Sequence, residues 1–212
     1  PLPLGTDVVI ATEVAARAAV RLEARGRRAL VFPAIAYGVT DFAAGFAGTV
    51  TVRAETLRAL VVDLARSLAG QGFGPVVLVN HHLEPAHFDA LHAAAEEAAP
   101  ARVIVPDHRR KPWALALGEE FCRGGSHAGS YETSLVLAAA ADQVREARRD
   151  LPPIEVNLGK AIREGARTFR EIGGDRAYFG DPAGASAEQG HALYEAHAAH
   201  VVALVLGEAP ER

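Results

Sequence analysis

His82 and Glu84 stand two residues apart where the apolar run Val76–Val79 stops at Asn80. A run of this kind, after Gly72 and Pro75, reads as a buried strand, and its C-terminal end is where open α/β sheets bind ligands. An imidazole and a carboxylate at this spacing can converge there on one ion. Two further groups carry the same ligand types. Asp7 stands at the start of a helical pattern, and His127 and Glu132 fall within HAGSYETS. Histidine and carboxylate ligands without thiolates suit Zn²⁺, Mn²⁺ or Fe²⁺, and a bridging carboxylate suits two ions. Each group also has a plainer reading. Asp7 can cap a helix, a histidine can be an ordinary loop residue, and Glu132 can complement a helix dipole.

The elements that must position these residues alternate between helix and strand. Apolar spacing predicts helices over 8–25, 54–69, 86–98, 131–144 and 186–206. Thr6 or Asp7 is the expected cap of the first, and Ser186 to Gln189 has the form of a capping box for the last. The second helix presents Leu57, Leu60, Val61, Leu64 and Leu68 inward. Strands are expected at 28–33, 75–80 and 102–105, with a short one around Tyr178 and Phe179. A glycine-rich loop covers 36–48. A long irregular stretch over 106–127 holds Trp113, Cys122, Gly124 and Gly125, and loops of that length in compact domains are commonly functional. The pattern predicts one three-layer α/β/α domain over 1–212 with a mostly parallel sheet.

Composition narrows the class. A net charge of −4, with no basic run beyond Arg109–Lys111, leaves no electrostatic footprint for nucleic acid. No apolar stretch reaches the length of a membrane span, and no signal-peptide pattern is visible. The single cysteine, Cys122, excludes an intramolecular disulfide and fits a reducing, cytoplasmic compartment. Nothing beside it marks an activated nucleophile, so a packing or loop role is expected. The chain contains no methionine, which leads to the expectation that the natural polypeptide continues upstream of Pro1.

Taken in order, Leu2–Asp7 (LPLGTD), Gly45–Thr49 (GFAGT), Asn80–Glu84 (NHHLE), His127–Ser134 (HAGSYETS) and Tyr178–Ala183 (YFGDPA) resemble the creatininase family over essentially the whole chain. The resemblance implies a metal-dependent amidohydrolase with two divalent ions, Zn and/or Mn with Fe as a further option, assembled as a homohexamer. It implies Asp7 as the bridging aspartate, His82 and Glu84 as metal ligands, Glu132 as a ligand or its support, and His127 as the catalytic proton carrier. It also places Val39 and Leu83 against the substrate. Two family ligands, a glutamate and a histidine, are expected eleven and nine residues before Asp7, outside these 212 residues.

Departures from the pattern bear on the substrate. Arg123 stands where the creatinine-hydrolysing member has a tryptophan, and Leu83 where it has a tyrosine. The clamp for a flat heterocycle is therefore absent, and Arg123 offers a partner for an anionic small-molecule amide instead. The expected function is hydrolysis of a non-peptide or small peptide-like C–N amide bond through metal-activated water. The alternative is a non-catalytic binding or scaffold subunit with a degenerate metal site. His81 replaces the family's glycine, and the sequence leaves open whether it reaches the site or a subunit contact. His87, His92, His191, His197 and His200 are expected on solvated helix faces.

Overall fold

The computed structural model describes residues 1–124 and 127–209; the expected loop glycine Gly125 lies outside them. Helix α1 (Thr6–Ala24) buries Ile10, Val14, Ala18 and Leu22, a four-residue repeat that makes one continuous face. That face packs with α5 (Ser130–Ala140) and α7 (Ala187–Leu206) around Leu135, Val136, Tyr194 and Val201. Helix α2 (Ala54–Gly70) buries Leu57, Val61, Val62 and Ala65. Its Leu57, Val61 and Val62 form a second core with Ala90, Leu91 and Ala94 of α3 (Pro85–Glu97).

Between these helix groups lie two parallel strands, β1 (Val76–Val77) and β2 (Val103–Ile104), paired Val76 to Val103 and Val77 to Ile104. Successive strand side chains point to opposite faces. Val77 and Val79 accordingly join the core of α1, α5 and α7, while Val76 and Leu78 join the apolar clusters on the α2 and α3 side. This alternation is the three-layer α/β/α arrangement, with the candidate residues at the carboxyl end of β1.

Several sequence expectations change in the structure. The ladder is shorter than expected at 75–80 and 102–105. Residues 28–33 form no strand: Leu30 is 69 % exposed and Phe32 50 %. A strand needs a neighbouring ladder, and β1 pairs with β2 while Leu30–Phe32 line, with Val76–Val79, a cleft of about 1810 Å³. On α2 the face turned to α3 carries Leu57, Val61 and Val62, so Leu60 and Leu64 are exposed rather than inward. Tyr178 and Phe179 precede only an isolated antiparallel bridge between Ile154 and Gly180. The 106–127 stretch is partly helical, with a 3₁₀ turn at Trp113–Leu117 and a short α4 (Glu119–Arg123). Helix α5 ends at Ala140 and continues only as a 3₁₀ turn, Ala141–Gln143. Another short helix, α6, covers Leu158–Arg163.

Caps explain how the site residues are aimed. Gly5, not Thr6 or Asp7, occupies the N-cap of α1, and the Thr6 hydroxyl donates to the Pro3 carbonyl at 2.6 Å. Asp7 is thereby left free in the first turn. Ser186 does cap α7, accepting the Gln189 N–H at 3.1 Å. Gly190 then lies so close to α5 that a Cβ would overlap the carbonyl oxygen of Ser134. Glycine is required there by the helix contact.

The histidines also differ from expectation. His81 is 3 % exposed, buried against Tyr131, His108 and His197. His197 and His200 face inward as well; His197 pairs with the Tyr131 hydroxyl at 2.6 Å, and His200 stacks on Trp113. Both stand on the side of α7 that packs inward, so these imidazoles lie in the core, whereas His191 is exposed beside Glu195 on the polar face. Burial pushes His200 down to about 4 and His81 to about 3, and holds His108 and His197 well below the usual imidazole range.

Two outcomes follow from this core. Gly190→Ala forces α5 and α7 apart and should cost about 1–3 kcal/mol, read as a lowered Tm; an unchanged Tm would contradict the close approach. Histidines with depressed folded pKa bind protons more readily when unfolded, so their effect on stability is absent above about pH 6.5 and grows as pH falls toward 4. Glu132 and His82, both raised in the folded chain, act oppositely but are outnumbered. Tm should therefore fall between pH 7 and 5, checked by thermal unfolding across that range; a rise would exclude neutral buried imidazoles.

Candidate active site

Asp7 and His82 come together from different layers. The His82 ring, at the end of β1, places Nδ1 3.1 Å from Asp7 Oδ2 and Nε2 2.9 Å from the Val39 carbonyl oxygen. A carbonyl only accepts, so Nε2 carries a proton. Burial pushes His82 down, but hydrogen bonds and charge from Asp7 and Glu84 outweigh it and raise the ring to about 10. Burial raises the Asp7 carboxyl, yet its bond to His82 and the nearby His81 and His127 bring it below the ordinary carboxylate value. The pair is an imidazolium beside a carboxylate.

Glu84 approaches the other edge of the same ring, its Oε2 3.7 Å from His82 Nε2. Its carboxylate accepts the backbone N–H groups of Asp41 at 3.0 Å and Phe42 at 3.3 Å. The Glu84 backbone occupies the N-cap of α3 and Pro85 its first position, where the missing N–H costs nothing. The strand-to-helix turn thus fixes both residues of the pair.

His127 and Glu132 enter from the N-terminus of α5. His127 stacks on Phe169 with ring centroids 4.3 Å apart, and its Nδ1 lies 4.0 Å from Glu132 Oε2. The Glu132 carboxylate accepts the Ala128 N–H at 2.7 Å. Burial, with Asp7 adding to it, raises Glu132 to about 8; burial lowers His127 to about 4 against the opposing charge of Asp7. Asp7, His82, Glu84, His127 and Glu132 all line this same large cleft.

The substrate-facing candidates divide. Leu83 lines the cleft. Val39 is 3 % exposed and packs into the α2–α3 core, touching the site through its peptide group only. Arg123 is an exposed side chain paired with Glu119 at 2.8 Å, and it is not among the residues lining the cleft.

Two residues that the sequence did not place at the site support it: Glu120, which it did not single out, and His87, which it placed on a solvated helix face. Glu120 accepts backbone N–H groups from Ser130 at 3.1 Å, Tyr131 at 2.9 Å and Asp181 at 2.7 Å. It holds the N-terminus of α5, and with it the His127 turn, against residues 179–181. Gly129 leaves room for it, since a Cβ would come within 2.6 Å of both Glu120 Oε1 and the Phe179 carbonyl oxygen. The other is His87, buried in the first turn of α3 beside His82. The only sequence signal for Glu120 is its place before the HAGSYE segment. His87 follows His82 at a spacing that suggests no common helix face, because a strand end and a helix start share it.

The donor set can be compared with that of a metal site. Among the described residues, no cluster of three or more His, Cys, Asp or Glu side chains is drawn close enough to hold an ion unaided. Asp7 and His82 do fit as two neighbouring ligands: donors about 2.0–2.1 Å from a tetrahedral ion sit roughly 3.3 Å apart. An imidazole that gives its other N–H to a carbonyl is also the usual arrangement of a metal-binding histidine.

A family model for creatininase, described as creatinine amidohydrolase, matches residues 1–205. The chain belongs to the creatininase family. The mycofactocin precursor peptide peptidase of Mycobacterium tuberculosis (strain ATCC 25618 / H37Rv) is 33 % identical over 204 residues, covering 92 % of this chain and 74 % of that protein. The corresponding peptidase of Mycobacterium ulcerans (strain Agy99) is 32 % identical over 200 residues, covering 91 % and 74 %. Among solved structures, a manganese form of creatininase superposes with a TM-score of 0.66 at 22 % identity, covering 99 % of this chain and 86 % of that one. A zinc–zinc form of a creatininase variant gives 0.63 at 22 % identity, covering 99 % and 85 %. The fold is therefore creatininase-like, and membership of this family makes the chain a hydrolase. No helix among the described residues is long and apolar enough to cross a membrane.

Removing the Glu120 carboxylate leaves three backbone N–H groups without their acceptor. Glu120→Ala should cost about 3 kcal/mol and disturb the His127 turn, read as a lower Tm together with altered His127 resonances. Retention of both would show that the turn is held by other contacts.

Proposed function

We propose that this creatininase-family chain is a divalent-metal-dependent amidohydrolase that cleaves a C–N amide bond in a peptide or peptide-like substrate. Asp7, His82 and Glu84 are the metal-binding residues of this reading, and Glu132 and His127 form its proton-handling pair. The observation that carries it is the His82 ring, with Nδ1 at 3.1 Å from Asp7 while Nε2–H is committed to the Val39 carbonyl. In the metal-free chain a proton occupies the place between two donors where a cation would bind. Binding must displace that proton, which couples metal affinity to pH.

Bound divalent ions supply an acidified water near neutral pH and a Lewis acid for the amide carbonyl. The chain's own groups do the rest. Val39 and Asp7 set the plane of the His82 ring, and the Asp41 and Phe42 amides hold Glu84 ready without a rotamer search. Glu132, raised to about 8 by burial and by Asp7, retains a proton at neutral pH, 4.0 Å from His127 Nδ1. His127 is placed to pass a proton on to the departing nitrogen, its ring fixed on Phe169.

A peptide-like substrate is favoured over creatinine by the 32–33 % identity to proteins named as peptidases. Leu83, where the creatinine enzyme has an aromatic residue, points the same way. The ion pair of Arg123 with Glu119 gives no support to its reading an anionic substrate. Manganese and zinc forms of the solved relatives support Zn²⁺ or Mn²⁺ as the ions.

The test is metal analysis and turnover of short synthetic peptides by the full-length protein. Reconstitution with Zn²⁺ or Mn²⁺ should give two ions per chain, with affinity weakening as pH is lowered. His82→Ala should lose bound metal and at least about a hundredfold in kcat/KM while keeping its circular dichroism. Undiminished turnover in that variant would overturn the site.

A further inference from the structure

His87 lies directly behind the proposed ligand His82. It is 7 % exposed, and its ring meets the His82 ring edge-on, with centroids 5.0 Å apart and planes at 89°. The two rings are also connected through one residue of backbone. His87 Nδ1 accepts the Val39 N–H at 3.2 Å, and the Val39 carbonyl accepts His82 Nε2–H at 2.9 Å. Fixing the N–H of Val39 restrains rotation of that residue, and with it the direction of its carbonyl. The carbonyl in turn decides which nitrogen of His82 is turned toward Asp7.

The preceding residue is shaped for this arrangement. A Cβ on Gly38 would fall on Cε1 and Nδ1 of His87. The Gly38 backbone lies outside the left-handed region, so its lack of a side chain serves space, not conformation. The Gly38 N-terminal to Val39 and the His87 in the first turn of α3 therefore form a matched pair: one clears the volume that the other fills.

We infer that His87 is a positioning residue for His82: through the Val39 backbone it holds Nε2–H on the carbonyl and leaves Nδ1 for the ion shared with Asp7. This rests on the metal-site reading above. Outer partners of metal-binding histidines characteristically change metal affinity about 10–100-fold when removed.

The experiment uses the full-length protein and Zn²⁺ as the probe. Zinc affinity is measured by chelator competition, and the His82 Nε2 proton is followed by ¹⁵N-edited NMR in the metal-free protein. His87→Ala should weaken zinc about 10–100-fold and speed exchange of the His82 Nε2 proton. His87→Asn places an amide oxygen where Nδ1 stands and should restore both readouts. His87→Phe fills the volume without an acceptor and should behave like His87→Ala. Gly38→Ala, which displaces the His87 ring, should reproduce the His87→Ala effect and add little to it in the double variant. Wild-type zinc affinity and proton exchange in His87→Ala would overturn the inference, as would full retention of both in His87→Phe. If the wild-type protein binds no zinc, the metal reading fails, and the NMR arm still decides whether His87 holds His82.

Discussion

The contact between Asp7 and His82 is the constraint on which the rest of the site depends. It joins the first turn of α1 to the end of β1, so it exists only when the helix layer of α1, α5 and α7 is seated on the sheet. It is a charge-assisted hydrogen bond of 3.1 Å between an imidazolium and a carboxylate. The same geometry that lets a proton bridge the two groups presents two donors to a cation. Glu84, Val39 and His87 then act on this contact from the opposite layer, through α3 and the loop that α3 packs against.

Electrostatics divides the site into two halves. Around His82, negative charge dominates and the imidazole is held protonated; around Glu132, burial dominates and the carboxyl keeps its proton toward neutral pH. Asp7 contributes to both, lowering the energy of a positive His82 and raising that of a negative Glu132. One carboxylate thereby keeps a proton on two groups by different means, attracting positive charge at His82 and repelling negative charge at Glu132. A bound cation would reduce the influence of Asp7 on each.

Much of this was legible in the sequence because it is local. The helical repeats of α1 and α3, the Ser186 cap and the strand-end position of His82 and Glu84 all follow from spacing along a few residues. Residues 28–33 have strand composition but no ladder to join, and pairing is not a local property. Leu60 and Leu64 match a helical stripe, but where α3 packs decides which part of the stripe is covered. His81, His87, His197 and His200 look solvent-compatible one at a time. Their burial comes from mutual packing and from Tyr131, Trp113 and Gly38, which are distant in sequence. Glu120 carries no motif at all; its role is to collect amides from two segments.

That role of Glu120 bears on the order in which the molecule assembles. It accepts the N–H of Asp181 from 61 residues away as well as those at the start of α5, while His82 is tied to Asp7 across 75 residues and to Val39 across 43. No two of these partners are neighbours in the chain, so each link costs loop-closure entropy before it returns any stability. Helices α1, α2 and α7 can gain structure early from their own repeats, but the reactive corner cannot. It should therefore be the last region to form and a sensitive reporter of complete folding: under the proposed function, a population with native helix content and an unformed His127 turn would be an inactive one.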